Sequence, residues 1–506
     1  MILDEVSYRV KQELGFVPTS EQQAAIGVFC RFLSDGSPHA VMVLRGSAGT
    51  GKTTLASAMV RALSSLHQRV LLLAPTGRAA KVFTQNSGQA AYTIHRRIYR
   101  QRSAGDLSSF NLNYNSMSDT LFMVDEASMI ANNGHGDSMF GEGRLLDDLV
   151  SFVYSGRNCR MVLIGDRAQL PPVGETASPA LSDDALRTMG LHVFECDLNE
   201  VLRQSMESGI LWNATRVRKL LSIPSLGRGC ETHPPSKSGT QHLPLEEGLP
   251  KVRFTGFHDV KTVPGNELIE ELNTSYSQVG MDETIVITRS NKRANIYNQG
   301  IRKTILDREE ELCRGDLLMV VKNNYYWTKQ ASEQEADTEG SSHPGFLANG
   351  DRARVLKVRN VHELYGFRFA DVTLVFPDFD DYEVEATVVL DTLTAEAPAL
   401  TREQQEQLYE GVMADFADIT QKGERLRQLR QDRHYNALQV KFAYAVTCHK
   451  AQGGQWAHVY VDQGYMTDDM VTTEYHHWLY TAFTRATEKL FLVNWPKTQT
   501  ENGNVE

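Results

Sequence analysis

The sequence predicts an α/β protein made of two parallel-sheet units with smaller β insertions. Two sets of short apolar runs carry this reading. VMVL at 41–44, VLLLA at 70–74, TLFMV at 120–124 and RMVLI at 160–164 each end in a loop and alternate with helical patterns. Such runs are the mark of strands buried on both faces of a parallel sheet. A second set follows at 284–288 (TIVIT), 458–461 (HVYV) and 489–493 (KLFLV). The 506 residues leave room for three or four domains at about 150 residues each.

Between the two sets the chain is less regular. Residues 222–250 are rich in Pro, Gly and Ser and read as a long surface loop. Cys230, His233 and His242 lie there, three possible metal ligands without a fourth. Residues 351–392 alternate in short stretches (RARVLKV, ADVTLVF, YEVEATVVL) and predict a small antiparallel β module. A helical segment then opens at Thr401 with a capping box to Gln404, and Leu408, Val412, Phe416 and Ile419 share one helical face.

Composition is that of a globular protein, with 41% hydrophobic and 23% charged residues. No apolar run approaches the roughly 18 residues that span a bilayer, and the first residues mix acids and bases unlike a signal or transit peptide. Six scattered cysteines without a CxxC pair argue against a disulfide framework or zinc finger, so a reducing, cytoplasmic setting is expected. The net charge of -11 disfavours nucleic acid on average, but it is unevenly spread. Residues 36–105 hold ten bases and no acid, whereas 371–418 hold thirteen acids and one base. A basic face on the first unit is therefore expected, with the acidic stretch turned mostly away from it.

The strongest chemical signal is GSAGTGKT, Gly46–Thr53, which fits the phosphate-loop pattern G-x-x-x-x-G-K-[ST] between a strand and a helical run. Glycines let successive backbone N–H groups of Gly46, Ser47, Ala48, Gly49, Thr50, Gly51, Lys52, Thr53 and Thr54 surround phosphates at the positive end of a helix. Lys52 would neutralise the β/γ-phosphates of ATP, and the Thr53 hydroxyl would hold Mg2+. VDEAS then puts Asp125 and Glu126 at a strand's C-terminal end, where a parallel sheet holds its ligand. Asp125 is a second Mg2+ candidate, and Glu126 a candidate to polarise the attacking water. In GDRAQLPPV, 165–173, the amide of Gln169 suits a γ-phosphate sensor.

With these elements in order, the chain resembles the superfamily 1B helicases, the RecD-like and Dda-like branch. TSEQQAAI (19–26) is similar to the Q-motif, which implies Gln22 on adenine. APTGRAAKVF (74–83), TIHRRIY (93–99) and AYAVTCHKAQGGQW (443–456) are similar to motifs lining a single-strand channel. By that resemblance Pro75, Thr76, Arg78, His95, Thr447, His449 and Lys450 are candidate DNA contacts, directed mainly to the backbone. LNEVLRQ (198–204) and YTAFTRATEKL (480–490) are similar to motifs IV and VI, which implies that Arg203 and Arg485 are arginine fingers.

Only 47 residues separate Arg78 from Asp125, too few for the large helical insertion of the UvrD/Rep branch. A short β-hairpin wedge at about 101–119 fits instead, where Phe110 and Tyr114 either stack on the terminal base pair or pack as ordinary rings. The resemblance implies two RecA-like domains (1–84 with 120–200, and 201–350 with 437–497), a wedge insertion at 85–119, an SH3-like insertion with a helical extension at 351–436, and a tail at 498–506. It implies an ATP-dependent helicase on single-stranded and forked DNA, moving 5′ to 3′ and working as a monomer away from membranes. The residues alone leave open a remodeller of RNA or RNA–DNA hybrids and a nucleotide-gated scaffold. The Gly- and Asn-rich stretch 131–144 departs from the family pattern.

Overall fold

The computed structural model describes residues 2–103, 106–133, 144–201, 207–221, 249–328 and 346–501. Arg203, the Cys230/His233/His242 group, most of the 131–144 stretch and the last five residues lie outside the described residues.

The first unit is a six-stranded parallel sheet in the order Ala91–Thr93, Arg69–Ala74, Thr120–Val124, Arg160–Gly165, Ala40–Gly46, His192–Leu198. Two inner apolar strands, Thr120–Val124 and Ala40–Gly46, are buried along their whole length. Two cores cover its faces, one around Phe29, Phe32 and Met59, the other around Phe122, Phe152 and Leu163. Because all six strands run parallel, the loops after Gly46, Val124 and Gly165 lie at the same, C-terminal end of the sheet.

The second unit is a five-stranded parallel sheet in the order Ala445–Thr447, Thr284–Thr288, Trp456–Asp462, Ala486–Val493, Val260–Val263. The β module is a closed five-stranded barrel. Its strands are Leu317–Val320, Arg352–Leu364, Phe367–Phe376, Tyr382–Val389 and Leu438–Phe442. The first and last of these fall outside both the 351–392 stretch read from the alternation and the 351–436 insertion implied by the resemblance. The chain runs from Phe442 into the sheet strand beginning at Ala445, and a single core joins Phe442, Val440 and Leu318 to Val286 and Tyr460.

The Thr401 capping box forms, with Gln404 returning to the Thr401 backbone, and starts the helix Arg402–Asp415. Leu408 and Val412 are buried against Phe367, Phe369 and Val389 of the barrel. The helix ends before the expected stripe does. Phe416 is already the C-cap and Ile419 lies in the turn before the second helix, Lys422–Gln431.

The expected wedge is an antiparallel hairpin, Tyr99–Ser103 with Asp106–Leu112. It starts later than 85, because Ala91–Thr93 is an edge strand of the first sheet. Phe110 faces Gln101 in the backbone register; its side chain lies outside the described residues. Tyr114 follows the hairpin and is 71% exposed. Among the described residues no helix is long and apolar enough to cross a membrane, and no cluster of three or more His, Cys, Asp or Glu could hold a metal.

Candidate nucleotide site and strand-binding motifs

The loop after strand Ala40–Gly46 turns through Gly49 and Gly51, at φ 79° and 76°, a left-handed region that favours glycine. Gly51 is the N-cap of the helix Lys52–Ser65, so the loop's N–H groups gather at that helix's positive end. A Cβ at Gly46 would lie 2.9 Å from Thr50 Oγ1. Within the loop, Thr50 Oγ1 donates to the Ser47 carbonyl at 2.8 Å and Lys52 Nζ to the Gly46 carbonyl at 3.0 Å. Thr53 is half-buried and Thr54 exposed. The resemblance put Gln22 on adenine. In the structure its Nε2 donates to the Thr50 carbonyl at 3.1 Å and its Oε1 accepts from Thr19 N–H at 3.1 Å, so this buried amide braces the loop.

Asp125 and Glu126 stand at the end of Thr120–Val124. Burial, reinforced by the Glu126 charge, raises the Asp125 carboxyl above its ordinary range, and Lys52 opposes this. Glu126 adopts φ 51°, an uncommon conformation for a glutamate, and its N–H donates to Asp125 Oδ1 at 2.8 Å. Glu126 Oε2 and Gln169 Oε1 are both buried without a protein partner. Buried acceptors left in this way call for water or a ligand. A phosphate loop, two carboxylates and these unpaired acceptors fit a nucleotide with a divalent cation.

Arg485 brings the second unit to this site. Its Nη1 is 4.0 Å from Glu126 Oε1. Nη1 also donates to the Gly454 carbonyl at 3.1 Å and Nε to the Thr481 carbonyl at 3.2 Å. From helix Gly209–Leu221, Arg218 hydrogen-bonds the Ser47 hydroxyl and lines a cavity of about 320 Å³ with Gly46, Asp166 and His477.

The candidate strand contacts divide. Thr76 Oγ1 caps the helix Gly77–Ser87 by accepting from Ala79 N–H at 3.2 Å, and Pro75 beside it is half-buried. A Cβ on Gly453 would lie 3.0 Å from Thr76 Oγ1, so the 75–79 and 449–456 motifs meet across the two units. Arg78 is drawn into that seam, donating to the Gln455 carbonyl and lying 4.3 Å from the Trp456 ring centroid. Burial first, then the Arg352 charge, lowers it to about 10. His95 is pushed down to about 4 by burial, near the rings of Tyr99 and Phe346 at 5.7 and 6.3 Å. A neutral imidazole adds no charge toward a phosphate. Thr447 is the N-cap of the short helix Cys448–Ala451, where burial lowers His449 and Lys450, the latter to about 8.

The basic stretch is also less free than its charge suggests. Arg45 is enclosed by Asp183, Glu195 and Asp197 at 2.7, 2.6 and 2.7 Å. Arg61 pairs with Glu13 at 3.1 Å. Lys81 Nζ donates to the Pro377 carbonyl at 2.7 Å and stands 3.6 Å from Asp378, so one corner of the acidic stretch docks on the first unit.

Residues 19–217 match the AAA domain family, and residues 442–493 match the UvrD-like helicase C-terminal domain. The ATP-dependent RecD2 DNA helicase of Deinococcus radiodurans is 34% identical over 154 residues, 30% of this chain and 18% of that protein. The ATP-dependent DNA helicase dda of Enterobacteria phage T4 is 22% identical over 401 residues, 74% of this chain and 77% of dda. The chain is thus similar to helicases of the RecD and Dda kind, in line with the resemblance read from its motifs. It spans under a fifth of the length of RecD2 and over three quarters of dda. A solved structure of Pif1 helicase from Bacteroides with ADP-AlF3 and single-stranded DNA covers 95% of this chain at 13% identity, with a TM-score of 0.44 and 93% of its own chain aligned.

Four residues at the junction of the two units escaped the sequence reading. Asp166 and Tyr480 sit inside GDRAQLPPV and YTAFTRATEKL, but their contact crosses 314 residues of chain. Trp456 ends AYAVTCHKAQGGQW, and nothing in that motif predicts the Arg78 contact. Arg218 falls in no motif; its only signal is a basic last turn on an amphipathic helix.

Proposed function

We propose that this chain is an ATP-dependent DNA helicase that moves along single-stranded DNA from 5′ to 3′ and opens forked duplexes. One observation carries the reading. The phosphate loop Gly46–Thr53, Glu126 and Gln169 stand on one sheet unit, while Arg485 reaches the same site from the other. A site completed by two units links ATP hydrolysis to their relative movement, because charge stabilisation is complete only when they close.

Lys52 would neutralise the β/γ-phosphates, and Thr53 and Asp125 would hold Mg2+, which neutralises charge on those phosphates. Glu126 orients the attacking water, Gln169 reads the terminal phosphate, and Arg203 and Arg485 act as arginine fingers. Thr76, Thr447, His449 and Lys450 follow the DNA backbone, as a protein that steps over any sequence requires. A single chain working in the cytoplasm suffices for this scheme. The unpartnered, buried Glu126 Oε2 and Gln169 Oε1 favour a turning-over enzyme over a scaffold.

The test uses fluorescent forks with a single 5′ or a single 3′ tail, with Lys52→Ala as the control. Unwinding from the 5′ tail only, lost together with DNA-stimulated ATPase in Lys52→Ala, is expected. Unwinding from the 3′ tail defeats the polarity, and ATPase retained by Lys52→Ala defeats the nucleotide site.

A further inference from the structure

Helix Thr473–Phe483 of the second unit lies along the loop 166–170 of the first. Thr481 Oγ1 accepts from Leu170 N–H at 2.8 Å, and His477 Nδ1 is 2.9 Å from the Ala168 carbonyl. Gln452 Nε2 donates to the Leu170 carbonyl at 2.7 Å. These bonds fix the loop that carries Gln169.

Tyr480 makes a different connection. Its ring is fully buried, and its hydroxyl accepts from Ala48 N–H at 2.8 Å while donating to Asp166 Oδ2 at 2.6 Å. The Asp166 carboxylate is held by Ala168 N–H, which donates to Oδ1 at 2.9 Å. With the phenol's hydrogen taken by a fixed carboxylate, its lone pair is turned to Ala48. Ala48 lies inside the phosphate loop, and a backbone N–H has one hydrogen to give. A phosphate cradled by the loop's N–H groups draws on that same donor.

We propose that Tyr480 is a positioning residue whose hydroxyl competes with bound phosphate for the Ala48 N–H, so that nucleotide binding is exchanged against one hydrogen bond between the two units. The proposal rests on the nucleotide reading above. Ring packing alone gives no role to the hydroxyl, and Tyr480→Phe separates the two because it keeps the ring.

The experiment titrates the full chain with a fluorescent non-hydrolysable ATP analogue at fixed Mg2+ without DNA. Tyr480→Phe binds the analogue about fivefold more tightly, the equivalent of about 1 kcal/mol for one hydrogen bond. Thr481→Val, which removes the Leu170 contact and leaves Ala48 bonded to Tyr480, stays within about twofold of the parent. Asp166→Asn, which replaces the charged acceptor of the phenol by a neutral one, moves affinity in the same direction as Tyr480→Phe and serves if that variant fails to fold. In steady state Tyr480→Phe lowers KM for ATP and loses part of the DNA stimulation of kcat. Unchanged or weaker binding by Tyr480→Phe, or an equal gain by Thr481→Val, overturns the exchange while leaving the nucleotide site standing. A parent chain that does not bind the analogue overturns both readings.

Discussion

The guanidinium of Arg78, on the first sheet unit, lies 4.3 Å from the centroid of the Trp456 ring, on the second. Arg352 of the barrel lies 5.9 Å from the same ring. One indole is therefore where the two sheets and the barrel meet. Arg78 reads from sequence as a contact to the DNA backbone, yet its charge is buried against an aromatic face. A cation in that position joins two units whose separation would break the contact.

The strength of that joint is measurable by a double-mutant cycle on Arg78→Ala and Trp456→Phe, using chemical denaturation. A desolvated cation–π pair predicts a coupling of about 1–2 kcal/mol. Trp456→Phe alone also leaves a cavity, which the cycle cancels. Additive effects within about 0.5 kcal/mol would remove the joint from the account.

Glu126→Gln keeps the size of the side chain and changes only its charge. Glu126 Oε2 has no protein partner to lose and Oε1 only the 4.0 Å approach of Arg485, so stability changes by about 1 kcal/mol or less. Loss of a general base lowers kcat for ATP by about 10²–10⁴-fold, with KM little altered. Steady-state ATPase with saturating single-stranded DNA checks this, and a normal kcat would assign the water to another group.

The basic face read from sequence is tested at Arg45. Burial works against its charge, but the hydrogen bonds it donates to Asp197, Glu195 and Asp183 outweigh that and hold it cationic. Arg45→Met strands three carboxylates, two of which are about half exposed, so the expected loss is about 2 kcal/mol, less than for a fully buried pair. Affinity for single-stranded DNA at fixed salt should not change. A weaker complex with unchanged stability would return Arg45 to the DNA-binding face.

What the sequence made legible was local. A phosphate loop is eight consecutive residues whose glycines and lysine act in place, and Thr401 with Gln404 caps a helix within one turn. The buried strands show because a parallel sheet demands apolar residues on both faces. The barrel's first and last strands, Leu317–Val320 and Leu438–Phe442, are four and five residues long, and they pair across more than a hundred residues. Their membership is a tertiary fact. Likewise Ala48 and Tyr480, or Arg78 and Trp456, become neighbours only when two separately folded sheets dock, and no spacing rule reaches across that seam.

Lys450 gives the proposed strand-binding motif a pH signature. Burial first, then the charge of Lys441, lowers its ammonium to about 8, and its Nζ donates to Asn349 Oδ1. Lys441, itself lowered to about 8 by burial, is held on the Thr392 and Ala395 carbonyls, and the adjacent imidazole of His449 is also lowered by burial. The sign follows from the direction of the shift. The folded chain releases the Lys450 proton as pH rises through about 8, whereas the unfolded chain keeps it to about 10.4. Between those values the unfolded state binds more protons, so stability rises with pH in that window. DNA binding moves the opposite way, because a phosphate needs the ammonium and binding takes up a proton. Affinity for single-stranded DNA should therefore fall severalfold between about pH 7 and pH 9, by fluorescence anisotropy at constant ionic strength. Lys450→Gln should bind more weakly at pH 7, show a salt slope smaller by about one, and lose most of the pH dependence. If the parent and Lys450→Gln share the same pH slope, Lys450 does not touch the strand and its depressed ammonium is purely a consequence of burial.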